Sequence, residues 1–194
     1  MGLGGYLTWT ALAREIYNKH GVKSIPMEQH GSAVKLIKSS IFYNNPHMIQ
    51  DFNGEFGVQI QLNNPHANYC LKDLPDRAIH KQGKHIIEGL CEVYGFNNPK
   101  LKCEIFLDKN EVETVNKICE NLEDKFITIE PNSNFDYTVN RVYPFDKWQS
   151  VVDELSKNIQ VVQIGMKNSK LLNNVVDFRG KTSFRIAAGI IGKS

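Results

Sequence analysis

The stretch KFITIEPNSNFDYTVNRVYPFDKW, from Lys125 to Trp148, constrains the fold more than any other. It begins with a short apolar, β-branched run, Lys125 to Ile129, of the kind that suits a parallel strand covered on both faces. A polar loop follows, with Asn132, Ser133, Asn134, Asn140 and Arg141. A helix opens behind Pro144. Strand, loop and helix in that order define an α/β unit, and in open α/β sheets ligands bind outside the carboxyl ends of the strands. Backbone N–H groups at a helix start favour anions, and an arginine grips phosphate through two parallel hydrogen bonds. The loop is therefore a candidate site for a phosphorylated ligand. An ordinary βα turn with solvated polar residues is the other reading.

The pattern continues to the end of the chain. Trp148, Val151, Val152 and Leu155 recur at helical spacing over 145–157. Ile159 to Ile164 reads as a strand, Lys167 to Leu172 as a short helix and Val175 to Phe178 as a strand. After the turn at Gly180, Thr182 is placed to cap a last helix lined by Phe184, Ala187, Ala188 and Ile191. This is β-α-β-α-β-α, half of a doubly wound unit.

The amino-terminal part is less regular. Trp9, Leu12, Ala13, Ile16 and Tyr17 predict a helix over about 6–20, ended by Gly21 and preceded by a glycine loop of Gly2, Gly4 and Gly5. That loop is a poor dinucleotide fingerprint, because Leu7 holds the third glycine position. Val22 to Gln29 reads as a strand ending at Glu28, Gln29 and His30. A helical turn is expected around 33–37, a short strand over 41–43 and a further strand over 56–62. Asn68 to Gly83 reads as a surface excursion, 84–94 as a helix, 101–107 as a strand and 111–122 as a helix capped by Asp108 that bridges to the second unit.

Net charge is +2, with 41% hydrophobic and 23% charged residues, which gives no reason to expect a nucleic-acid partner. No apolar run reaches the roughly 20 residues of a membrane span, and no signal peptide is visible. The four cysteines form no CxxC, consistent with reduced thiols in a cytoplasmic protein. The recurring Asn-Asn-Pro triplets read as turns, and nothing in the spacing of His47 and His66 supports a metal site.

Three segments together resemble the family 9 glycosyltransferases, typified by ADP-heptose:lipopolysaccharide heptosyltransferases. They are the opening MGLGGYLTWTA, the order strand–Pro131–polar loop–Arg141–Pro144–Trp148, and the closing VVDFRGKTSFRIAAGII. The resemblance implies a GT-B-like α/β fold of two Rossmann-like units. Residues 1–123 would form the acceptor-side domain with its bridging helix, and 124–194 a partial nucleotide-sugar donor domain. It implies inverting transfer of a sugar from a nucleotide-sugar donor to a glycan or lipid-linked acceptor of lipopolysaccharide type. No metal or cofactor is required, the nucleotide sugar being substrate, and contact with a membrane would be peripheral. Asn132, Ser133 and Arg141 would meet the donor phosphates, Lys181 and Thr182 the nucleoside side, and Gly4, Gly5 and Tyr6 the acceptor.

The sequence departs from the family where its catalytic base usually stands. That position holds Gly5, which cannot take a proton, and Glu28 or His30 are the candidate substitutes. The family's first strand and its Asp/Glu-Gly…His donor loop are missing, so the expectation is a chain truncated at both ends. The alternative is a non-catalytic remnant that binds a nucleotide sugar or a partner protein.

Overall fold

The computed structural model describes residues 3–51, 54–67, 70–74, 77–80, 83–132 and 143–194. The chain is mixed α/β and divides into two compact units, Met1–Phe106 and Leu107–Ser194.

In the first unit, helix α1 (Leu3–His20) buries Trp9, Leu12, Ala13 and Ile16 against a small sheet. That sheet has the order β2-β1-β3, with β1 spanning Lys23–His30, β2 Ala33–Leu36 and β3 Gly57–Gln61. Strands β1 and β3 are parallel, and β1 and β2 antiparallel. The expected helical turn at 33–37 is thus a strand. Gly31, at a φ of 61°, reverses the chain so that Ala33 pairs with His30. The expected strand at 41–43 is instead a single 3₁₀ turn, Ser40–Phe42, started by the Ser39 hydroxyl accepting from the Ile41 N–H.

Pro26 sits in the middle strand without cost to the ladder. Its neighbour on that side changes there from residues 47–49, bridged at Ser24, to β2, and its carbonyl accepts from Ile37 N–H at 2.8 Å. Within the surface excursion, β4 (Cys70–Leu74) pairs antiparallel with β5 (Arg77–His80). Helix α2 (Ile86–Val93) is capped by His85, whose ring accepts from Ile87 N–H, and it packs Ile87, Leu90 and Cys91 into the α1 core.

The expected strand at 101–107 is absent. Residues 100–104 are instead held to α1 by side chains. The Arg14 guanidinium, 6% exposed, donates to the carbonyls of Lys100 and Lys102, both at 2.7 Å. Thr10 Oγ1 accepts from Glu104 N–H at 3.0 Å. Carbonyls that a neighbouring strand would have taken are claimed by a guanidinium, so no ladder forms.

The second unit has three layers. Its sheet, β6 (Phe126–Ile129), β7 (Gln160–Gln163) and β8 (Val176–Asp177), is parallel and keeps chain order. Alternate residues serve opposite faces. Phe126 and Val162 meet α3 (Lys109–Cys119) and α5 (Phe184–Ile191) through Val115 and Ile190. Ile129 and Val161 meet α4 (Phe145–Leu155) through Val152, with Leu172.

Helix α3, read from sequence as the bridge, packs within this second unit. Asp108 and Glu111 form a capping box, and the Glu111 carboxylate also takes Arg185 of α5 at 2.6 and 2.7 Å. Those bonds hold the Glu111 carboxyl below its ordinary range. The short helix expected at 167–172 does not form. The buried Gln163 side chain instead accepts from Leu172 N–H and donates to the Lys170 carbonyl, both at 2.8 Å.

Candidate functional site

Each unit gathers polar side chains at the carboxyl ends of its parallel strands. In the first unit the group stands at the end of β1. The Tyr6 hydroxyl donates to Glu28 Oε1 at 3.2 Å, and His30 Nε2 lies 3.4 Å from Glu28 Oε2. Helix α1 delivers Tyr6, whose ring also packs on Phe42 with centroids 5.7 Å apart. Period-two alternation puts Glu28 and His30 on one face of β1. The Glu28 side chain is 15% exposed and the His30 side chain 70%. Burial, and after it the Glu28 charge, raise the Tyr6 hydroxyl above its ordinary pKa, so it stays a protonated donor. With Nε2 of His30 turned to Glu28, the rest of this 70% exposed side chain faces solvent.

Gly4 and Gly5 are not a loop. Both lie in the first turn of α1, where Thr8 Oγ1 donates back to the Gly5 carbonyl at 2.8 Å. Glycine disfavours helix by about 1 kcal/mol, and the deep burial of the Trp9–Ile16 face outweighs it. Gly2 lies outside the described residues.

In the second unit the ends of β6, β7 and β8 bring together Glu130, Asn132, Gly165, Asp177, Arg179 and Lys181. Asn132 spends its amide on structure: Oδ1 accepts from Lys170 N–H at 3.1 Å and Nδ2 donates to Glu130 Oε1 at 3.1 Å. Arg179 forks onto both Asp177 oxygens, at 2.8 and 3.0 Å, and reaches the Ser169 carbonyl. That fork holds the Asp177 carboxyl down at about 2. Lys181 Nζ donates to the Asp177 carbonyl at 2.7 Å. Gly165 has a φ of 133°, and a Cβ there would stand 1.7 Å from Glu130 Oε2, so the carboxylate lies directly over the glycine.

Lys181 and Thr182 border a shallow cavity of about 230 Å³ with Ile118, Asn121 and Phe178. Thr182 does not cap α5. Ser183 does, its hydroxyl accepting from Ile186 N–H. Helix α4 begins behind Pro144 with no side-chain cap. Ser133 and Arg141, with Asn134, Tyr137 and Asn140, lie outside the described residues.

Sequence reasoning passed over Glu130, Asp177 and Arg179. The signal was available, since each stands at or just past the end of a strand, where α/β sheets place their chemistry. It weighed His47 only as a metal ligand, and that side chain belongs to a buried polar group in the first unit. His47, wedged between the rings of Tyr17 and Phe106, has Nδ1 3.7 Å from Glu104 Oε2. Both atoms, and Ser24 Oγ, are buried without a hydrogen-bond partner. Burial lowers the His47 pKa, partly opposed by Glu104. Cys91, Cys103 and Cys119 are thiols, and burial pushes Cys91 up to about 12, out of nucleophilic range. Among the described residues no three His, Cys, Asp or Glu side chains gather to hold a metal ion, and no helix is long and apolar enough to cross a membrane.

No protein-family model matches the chain, and no curated protein or solved structure matches it significantly.

Proposed function

We propose that the chain is a glycosyltransferase that moves a sugar from a nucleotide-sugar donor to a hydroxyl of a glycan or lipid-linked acceptor. The observation that carries the reading is the chain of contacts Tyr6–Glu28–His30 at the end of β1. In the proposed reaction His30 Nδ1 takes the proton of the acceptor hydroxyl. Glu28 holds the ring and stabilises the imidazolium, while Tyr6 fixes Glu28. The acceptor oxygen forms its bond to the anomeric carbon as the bond to the nucleotide diphosphate breaks, inverting configuration. The resemblance to family 9 glycosyltransferases gives Arg141 the place of the cation that meets the charge developing on the departing diphosphate.

The second reading is a non-catalytic chain that binds a nucleotide sugar or a partner protein. Gly5 favours it, because the family's usual base position carries no proton acceptor, and so does Asn132, whose amide is already spent on neighbouring loops.

The test measures nucleotide release from ADP-, UDP- and GDP-sugars with a mixed glycan acceptor pool. Parallel titrations use ADP, UDP and GDP. Expected is release with one donor, falling about 10²- to 10⁴-fold in His30→Ala with nucleotide binding kept and binding weakened in Arg141→Ala. Binding without release favours the second reading. Transfer that is indifferent to His30→Ala and Glu28→Gln overturns the assignment of the base.

A further inference from the structure

All six histidines of the chain, His20, His30, His47, His66, His80 and His85, belong to the first unit, and residues 107–194 carry none. Histidine is the side chain whose ordinary charge change falls between pH 5 and 8. Mild acid therefore acts on the first unit wherever its packing distinguishes a neutral imidazole from a protonated one. Two positions do so.

The first is His47. Its ring lies between those of Tyr17 and Phe106, at centroid distances of 4.9 and 5.9 Å, so α1 and the segment 104–106 both close on it. Strand β1 meets it through Ser24, whose N–H donates to the His47 carbonyl at 2.8 Å. The charged groups around the ring are Glu104, with Oε2 3.7 Å from Nδ1, and Arg14, which is paired in turn with Glu15. Nδ1 and Oε2 are buried and make no hydrogen bond. An imidazolium here would gain the Glu104 charge. It would lose its water on a side chain 15% exposed and meet the Arg14 guanidinium. Burial is the largest of these effects, so the ring is held neutral.

The second is His85, exposed at the start of α2. Its Nδ1 accepts from Ile87 N–H at 3.2 Å and caps the helix. Among the described residues that amide is its one bonded partner. Protonation removes the accepting lone pair and sets a positive charge at the positive end of the helix dipole. The nearby carboxylates, Glu88 and Glu92, are on the same helix, and Glu92 is tied to Lys84 at 2.5 and 2.6 Å. Helix α2 carries Ile87, Leu90 and Cys91 into the core that holds α1. His30 works in the other direction, gaining Glu28 when protonated, but its side chain is 70% exposed and the gain is small.

We propose that the first unit is an acid-sensitive module that opens in mild acid while the second stays folded, with His47 as the main trigger and the His85 cap as the second. Above the ordinary histidine value of about 6.5 the neutral His47 ring packs without penalty. As pH falls through that value the open form takes up a proton that the closed form refuses. At pH 5.5 opening is then favoured up to about tenfold over pH 7.5. In the second unit the bonded carboxylates of Glu111 and Asp177 are held below their ordinary range and keep their charge at pH 5.5. Tyr6, Glu28 and His30 stand on α1 and β1, so their contacts are lost when the first unit opens. The device does not depend on transfer chemistry.

Each unit carries one tryptophan, Trp9 in α1 and Trp148 in α4. The experiment is a urea titration of the full chain, labelled with ¹⁵N-tryptophan, at pH 7.5 and at pH 5.5. NMR reads the two indole N–H signals separately, and Trp148→Phe assigns them. Expected is a Trp9 midpoint lower by about 0.5–1 M at pH 5.5 and a Trp148 midpoint that does not move. His47→Phe should remove most of that fall. Adding His85→Asn should remove the rest, because asparagine caps a helix without titrating. His20→Gln, at an exposed imidazole of the same unit, should leave the fall in place. An unmoved Trp9 midpoint, an equal fall at Trp148, or a fall that survives in the double variant overturns the proposal.

Discussion

Replacing Arg14 tests whether side chains, rather than a strand ladder, hold residues 100–106 to α1. The guanidinium is 6% exposed and donates to two carbonyls at 2.7 Å. Glu15 Oε1 lies 2.9 Å from its Nη2, and Glu104 Oε1 3.5 Å from its Nη1. Each charged hydrogen bond to a carbonyl contributes about 1.5–3 kcal/mol. Arg14→Met removes both and strands a partly buried Glu104, so the expected loss is about 3–5 kcal/mol. Arg14→Lys keeps the charge, but a single ammonium cannot span carbonyls two residues apart, so it should lose about half as much. With a urea dependence of about 2 kcal/mol/M, Arg14→Met shifts the unfolding midpoint of the first unit down by about 1.5–2.5 M. Far-UV circular dichroism reads that shift, and hydrogen exchange of the amides of Lys102 and Glu104 reads the local opening. A loss under about 1 kcal/mol, or Met and Lys variants of equal stability, refutes the reasoning.

Three more outcomes follow from the packing. The lowered pKa of His47 means the folded chain resists its protonation. Its contribution is intact above the ordinary histidine value near 6.5 and declines as pH falls through that value. His47→Phe, which suits the flanking rings of Tyr17 and Phe106, should flatten stability between about pH 7 and 5, measured by urea midpoints. Asp177 works in the opposite sense. Its pairing with Arg179 stabilises the fold above the ordinary carboxylate value near 3.9 and is lost as pH drops towards about 2. Asp177→Asn should flatten the acid limb followed by Trp148 fluorescence. Finally, a Cβ on Gly189 would stand 2.5 Å from Val115 Cγ2 and 2.8 Å from Leu107 Cδ1. Gly189→Ala should cost about 1–3 kcal/mol by forcing α3 from α5, read as a lowered thermal midpoint.

The second unit was the more legible half. Helix α4, strand β7 and helix α5 follow from apolar periodicity, and the Asp108 cap from residue type and place. What escaped was tertiary. No local pattern says that 101–107, an apolar alternation fit for a strand, will have its carbonyls taken by an arginine some 86–88 residues earlier. The segment 33–36 has little strand character of its own, and only the turn at Gly31 and the open edge of β1 make it one. Residues 167–172 suit a short helix until Gln163 claims their backbone. The glutamine that closes β7 behind two valines was the available clue, since a buried amide has to bond to something. In the candidate site, Glu28 and His30 were legible because strand ends carry chemistry. That Tyr6 reaches Glu28 depends on α1 beginning at Leu3, and the two glycines argued locally against that start.

The bonds from Arg14 to Lys100 and Lys102 also set an order of events in time. Helix α1 is made well before its partners, and its guanidinium finds its acceptors only after some 88 further residues have been added. Through that interval the guanidinium has Glu15 beside it but not the carbonyls it will hold, so the first unit should close late and all at once. The second unit needs no such delay. Each of its strands lies beside the one made just before it, so its sheet can lengthen strand by strand as the polypeptide emerges.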